Sequence, residues 1–331
     1  MSMKIAVVRM SEYNSLLNPV LEKLNGSEIV EIQEHTEVPK GYMALTCSRI
    51  ATQNSSQPVF DLSHGVFWNK SGAEVFDTGV REDYYVASSP YEIEMLSLKG
   101  ILPRIRKVYP VGRPDLDTLY NLEKSRPKNR RKSVLYAPTW NYELNGGIVE
   151  IKKNILELKD VCSELNLDFR VAMHPYILDR HWDRFLSEQG IRYRKNDEPF
   201  IPLLSYADIL VGDCSSNIEQ FLLTGRPIVL YNSFDWFNGF AYPDSCMLSD
   251  DIEPLAPRLK DVRKVSYQFT GQHMIKGCIE LALNEGYREQ SARSQLKSVL
   301  WGDVFDGKCT ERVVHAIEDA YEDCRRRGEV E

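Results

Sequence analysis

The run from Ala207 to Tyr231, ADILVGDCSSNIEQFLLTGRPIVLY, passes from apolar to polar, then amphipathic, then apolar again. The pattern predicts a strand over Ile209 to Gly212 and a tight polar turn over Asp213-Cys214-Ser215-Ser216. A helix, a Gly-Arg-Pro stop and a second strand follow. This is a βαβ unit with two serines where the helix begins. The first N–H groups of a helix lack internal partners and lie at the positive end of its dipole. Such a point suits a phosphate. Ser216-x-x-Glu219 also matches a capping box, which explains the serines without any ligand. Both readings stand on the local pattern.

The same alternation runs through the rest of the chain. Strands are predicted at Lys4 to Val8, Ile29 to Ile32, Pro58 to Leu62, Tyr84 to Ser88 and Lys107 to Val111. Helices are predicted at Asn18 to Leu24 and Pro90 to Lys99. From Gly112 to Lys132 the composition shifts to Pro, Arg, Lys and Asn, which marks a boundary. The alternation then restarts with a strand at Ser133 to Ala137, a helix at Ile148 to Leu165 and a strand at Phe169 to Ala172. A helix at Arg180 to Glu188 and a strand at Ile191 to Tyr193 come next, and from about Met274 the chain is mostly helical. Alternation of this kind predicts α/β architecture with parallel sheets. The expected division is an N-terminal α/β domain over 1–115, a basic linker over 116–132, a C-terminal α/β domain over 133–305, and a C-terminal helix over 306–331. No G-x-G-x-x-G follows the first strand, so a dinucleotide-binding first domain is not supported.

The 331 residues suffice for two cores. Lys+Arg 41 against Asp+Glu 48 gives −7, which argues against a nucleic-acid partner. The basic run Arg126-Pro-Lys-Asn-Arg-Arg-Lys132 reads first as a solvated linker, with a patch for an anionic polymer or membrane surface as the alternative. Seven cysteines, with no C-x-x-C pair, argue against a disulfide framework and a structural zinc site. The N-terminus enters a strand directly, with no signal-peptide segment. A reducing, cytoplasmic protein is expected, with peripheral contact at the inner membrane face left open.

In parallel α/β folds, ligands bind beyond the carboxyl ends of strands. His64, His174, Thr139 with Trp140, Gly112 with Arg113, and the serine pair all follow predicted strands. His174, His181, Asp179 and Asp183 lack the short ligand spacing of zinc sites, so no metal is expected. Asp115-x-Asp117 resembles the D-x-D of metal-using transferases, but surface carboxylates are the simpler reading. Trp236, Phe237, Phe240 and Tyr242 read as loop packing or a lid. Nucleophile-elbow and P-loop motifs are absent.

These residues, in this order, resemble the CDP-glycerol glycerophosphotransferase family of teichoic-acid and capsule synthesis, over about Asp61 to Arg312. The matching segments are Ser133-Val-Leu-Tyr-Ala-Pro-Thr-Trp140, Met173-His174-Pro175, Ala207 to Tyr231, Gly112-Arg-Pro-Asp-Leu-Asp117 and Asp306-Gly-Lys-Cys-Thr-Glu-Arg312. Of the family's W-H-G-T-P-x-K, only His64-Gly65 survives. Cys214 replaces the usual Tyr, and Gln220 stands where Asp is frequent. The resemblance implies a GT-B fold, two Rossmann-like domains facing a cleft. It implies transfer of a phosphopolyol from a CDP-linked donor to a hydroxyl of a polyol-phosphate or glycan acceptor, lipid-linked or free, with CMP leaving. His64 would be the general base. His174 and the helix start at Ser215 and Ser216 would hold the diphosphate, with Asp213, Thr139, Arg113 and Glu219 as further nucleotide-side residues. No cofactor is required on this reading, and a divalent cation stays open. A GT-B glycosyltransferase using a nucleotide sugar and a non-catalytic nucleotide-binding subunit are the alternatives.

Overall fold

The computed structural model describes residues 2–9, 14–47, 55–63, 83–98, 100–139, 147–174, 177–178, 180–195, 198–213, 215, 217–231, 262–286 and 288–331. The chain divides into two compact units, Met1–Asn121 with Ser298–Glu331, and Leu122–Lys297.

The first unit begins β1 (Lys4–Val8), α1 (Asn14–Leu21), β2 (Glu28–Ile32), β3 (Met43–Thr46) and β4 (Val59–Asp61). It continues β5 (Tyr84–Ala87), α2 (Pro90–Leu98), β6 (Lys107–Pro110) and α3 (Asp115–Ser125), along which the chain passes to the second unit. The six strands lie in the order β2-β1-β3-β4-β5-β6, every pair parallel. The interior strands β3, β4 and β5 are buried along their whole length, as parallel strands covered on both faces must be. At the edge, β2 carries Glu28 and Glu31 and is largely exposed, which discourages further strand pairing.

The second unit runs β7 (Ser133–Ala137), α4 (Gly147–Glu164), β8 (Asp168–Val171), α5 (Arg180–Glu188) and β9 (Arg192–Tyr193). Then come α6 (Ile201–Tyr206), β10 (Ile209–Gly212), α7 (Asn217–Leu222), β11 (Ile228–Tyr231), β12 (Tyr267–Phe269) and α8 (Ile275–Glu285). Helix α9 (Gln290–Trp301) carries the chain back to the first unit. There α10 (Cys309–Arg326) contributes Val313, Ile317, Ala320 and Cys324 to the core built on β1, β3 and β4. The second sheet has the order β12-β11-β10-β7-β8-β9, again all parallel.

Several elements differ from the sequence expectation. Helix α1 starts a turn earlier than Asn18 and holds Pro19 inside it. Strands β3 and β12 and helices α3 and α6 were not expected. The first two are only four and three residues long, too short for a periodicity to register. The segment expected to be a basic linker begins in α3, and its arginines brace the second unit. Arg126 and Arg130 both pair with Asp208, at 2.8 and 2.9 Å, and Arg131 donates to the carbonyls of Asn166 and Leu167. The solvated-linker reading therefore does not hold for Arg126 and Arg130, which are partly buried, while Arg131 stays exposed. Arg226, the arginine of the Gly-Arg-Pro stop, donates to the carbonyls of Leu204, Ser205 and Ala207 and to the Glu123 carboxylate. It thus caps the C-terminal end of α6. Burial pushes its guanidinium down to about 10, with Glu123 opposing the shift, so it stays charged at neutral pH. Among the described residues no helix is long and apolar enough to cross a membrane.

Candidate functional site

Numbered within the second unit, the sheet reads 6-5-4-1-2-3. This is the strand order of mononucleotide-binding halves placed back to back, and it reverses direction between β7 and β10. Ligands of open α/β sheets bind at the carboxyl ends of the strands flanking such a reversal. Four of the expected site residues stand there. Thr139 lies two residues beyond β7, Asp213 and Ser215 follow β10, and His174 follows β8, which pairs with β7 on its other side.

The Thr139 N–H donates to both Asp213 carboxylate oxygens, at 3.1 and 2.9 Å. Both residues are buried. Burial, reinforced by the nearby Asp213 charge, pushes the Tyr136 hydroxyl well above the usual phenol range. Gly212, just before Asp213, packs against Ile218. A Cβ there would lie 2.6 Å from Ile218 Cδ1 and 3.4 Å from the Ala137 carbonyl oxygen.

The Ser215 hydroxyl accepts from the Asn217 N–H at 3.3 Å, and its carbonyl accepts from the Ile218 N–H at 3.0 Å. Ser215 thus has a turn-forming role at the start of α7. Ser216, the first residue of the expected capping box, lies outside the described residues; Glu219 is 1% exposed. His174 is half-buried, and its carbonyl accepts the N–H groups of Ile177 and Leu178.

Arg113 belongs to the first unit. Its guanidinium pairs with Asp115 through Nε at 3.1 Å and Nη2 at 2.7 Å. Burial opposes its charge, but the Asp115 carboxylate outweighs burial and raises its pKa above the ordinary arginine value. The D-x-D pair is not a pair of surface acids. Asp115 is 3% exposed in that ion pair, and Asp117 accepts the N–H groups of Cys309 and Thr310, both at 2.8 Å, capping α10.

His64, Trp140, Cys214 and the Trp236-to-Tyr242 aromatics lie outside the described residues. Just before His64, Ser63 has a left-handed backbone, φ 53°, and its N–H donates to Asp61. Its hydroxyl and that of Tyr85 both donate to Glu92 Oε1, at 3.2 and 2.5 Å, and Glu92 Oε2 takes the Ser88 N–H at 2.5 Å. Sequence reasoning missed this buried carboxylate. Its signal was present: Ser89-Pro90-Tyr91-Glu92 has the S-x-x-E spacing with proline at the first helical position, and the Ser89 hydroxyl accepts the Glu92 N–H.

Two parallel sheets with interspersed helices define a GT-B-type α/β protein. Within that class the chain belongs to the CDP-glycerol:poly(glycerophosphate) glycerophosphotransferase family, whose model matches residues 50–247. Members of this family are transferases. Comparison with curated proteins returned no match. Among solved structures, the wall teichoic acid polymerase TagF is similar with a TM-score of 0.63 and 15% identity, covering 97% of this chain and 89% of that one. The UDP-GlcNAc 2-epimerase of Methanocaldococcus jannaschii, solved with UDP-GlcNAc and UDP, has a TM-score of 0.55 and 13% identity, covering 96% and 100%. MnaA of S. aureus, solved with UDP, has a TM-score of 0.57 and 12% identity, covering 97% of each chain. At these identities the likeness is one of fold.

Proposed function

We propose that this chain transfers glycerol phosphate from CDP-glycerol to a hydroxyl of a polyol-phosphate or glycan acceptor. The acceptor oxygen attacks the β-phosphorus. The bond from that phosphorus to the oxygen bridging the two phosphates breaks, CMP leaves, and the acceptor proton passes to a base. His64 is the proposed base, since an imidazole titrates near neutral pH. His174 and the turn at Ser215 and Ser216 are proposed to face the donor diphosphate, stabilising charge as the bond to CMP breaks. Thr139 borders the same strand ends. Arg113, already matched by Asp115, is assigned to holding the turn after β6, and no metal is given a step.

The observation that carries this reading is the coincidence of the family match over 50–247 with the switch point. The A-P-T residues Ala137 to Thr139 and the aspartate and first serine of D-x-S-S, Asp213 and Ser215, stand at the carboxyl ends of the two strands where the sheet order reverses. TagF has been solved after soaking with CDPG, which makes a CDP-linked donor the first to try. The test is a panel of CDP-glycerol, CDP-ribitol and UDP-sugars, with polyol-phosphate and lipid-linked acceptors, read as CMP or UDP release. CMP release from CDP-glycerol that depends on acceptor is expected. Release of UDP alone would replace the reading with a glycosyltransferase, and inertness to every donor would replace it with a non-catalytic subunit.

A further inference from the structure

Asp213 presents a carboxylate at the edge where the donor diphosphate is proposed to lie. An anion in that position does not attract another anion. What it does in the structure is accept the Thr139 N–H through both of its oxygens. A carboxylate is acceptor-only, and a backbone N–H is a donor that a buried loop must satisfy. The bond therefore joins the loop leaving β7 to the turn leaving β10, the two connections that flank the switch point. The backbone closes the same joint from beneath. Gly212 and Ala137 are paired across β10 and β7, so turn and loop leave adjacent strand ends and the carboxylate joins them.

We propose that Asp213 is a positioning residue, which holds the Thr139 loop against the Ser215 turn and acts on the donor only through that geometry. The inference rests on the donor binding at this edge. It assigns Asp213 neither a ligand contact nor a proton-transfer step. The chemistry distinguishes the two roles. Asparagine keeps one oxygen acceptor for the Thr139 N–H while losing the charge and the second acceptor, whereas alanine loses both oxygens.

Three measurements on the full chain test it: donor and acceptor KM with kcat, CDP affinity by calorimetry, and amide exchange across Thr139. Asp213→Asn should raise donor KM by about three- to tenfold, less than alanine does, because one of the two acceptors of the Thr139 N–H survives. Asp213→Ala should raise donor KM by about ten- to a hundredfold, with acceptor KM unmoved. Exchange at Thr139 should speed up in the alanine variant and not in the asparagine variant, while β7 and β10 stay protected. If the alanine variant does not fold, Asp213→Ser, too short to reach Thr139, takes its place. Equal loss of turnover in the asparagine and alanine variants would overturn the proposal, because the charge itself would then be acting. An alanine variant indistinguishable from wild type would overturn it as well. Wild type inert to every nucleotide would refute the donor reading instead. In that case the exchange measurement still decides the clamp, and unchanged exchange at Thr139 in the alanine variant would refute it.

Discussion

The Arg126 guanidinium meets the Asp208 carboxylate at 2.8 Å, at the amino end of β10. Burial works against the Asp208 charge, but bonds from Arg126 and the Ser133 N–H, with the charges of Arg126 and Arg130, hold its pKa below the usual carboxylate range. A depressed carboxylate contributes stability above its unfolded pKa and loses it as pH falls through the folded one. Denaturant unfolding should therefore show this contribution intact at neutral pH and waning below about pH 4. Asp208→Ala should cost about 1.5–3 kcal/mol at pH 7, since it removes the shared carboxylate from two partly buried guanidinium groups that keep their carbonyl partners. A variant whose stability and acid response both match wild type would show the pair to be energetically idle.

Gly112 allows no side chain. Its φ is 81°, and a Cβ would lie 2.6 Å from Cys309 Sγ and 3.0 Å from Val304 Cβ. Gly112→Ala should destabilise the first unit by about 2–4 kcal/mol, from overpacking and the left-handed backbone together. Urea unfolding measures it, and a loss below about 0.5 kcal/mol would mean that the neighbours yield freely.

Glu92 accepts from two hydroxyls and one backbone N–H, and its removal leaves two donors without an acceptor, since the Tyr85 hydroxyl still reaches Ser63 Oγ at 2.9 Å. Glu92→Ala should cost about 3 kcal/mol or more. Tyr85→Phe, which removes one donor together with its need for a partner, should cost about 1 kcal/mol. Thermal unfolding of the two variants side by side gives the comparison, and the reverse order would show that Glu92 does not organise the cluster.

His174→Ala should lower turnover of CDP-glycerol by about a hundred- to a thousandfold if His174 stabilises the diphosphate as it leaves. The residue is half-buried and lies beyond the strand, so the unfolding midpoint should hardly move. Turnover near wild type would return it to the role of a loop residue.

For His64, the expected signature is a rate that falls as pH drops below about 6.5, because only neutral imidazole accepts a proton. His64→Gln should abolish that limb and lower turnover by about a hundred- to ten-thousandfold, with CDP affinity unchanged. A persisting acid limb in an active variant would place the base elsewhere.

The α/β class was legible because interior strands such as Tyr84–Ala87 and Ser133–Ala137 are continuous apolar runs between turn residues. The order of those strands was not legible. That β10 pairs with β7, across five intervening helices and strands of the chain, is decided by packing and by the handedness of crossovers. At the site, Thr139, Asp213, Ser215 and His174 were recoverable because each follows a strand. What each does was not, since the Asp213–Thr139 bond joins residues far apart in sequence. Arg226 and Asp117 carried recognisable motif positions. Their work on carbonyls and amide groups of other elements appears only in three dimensions.

The placement of α10 has a bearing on how the molecule is made. Its Val313, Ile317 and Ala320 complete a core whose other walls come from β1, β3 and β4. The second unit, Leu122–Lys297, is continuous and is synthesised entirely before that helix. Domains fold as units when their residues are available. A nascent chain can therefore finish its later-encoded half first, while the earlier half waits on the ribosome with an apolar seam uncovered.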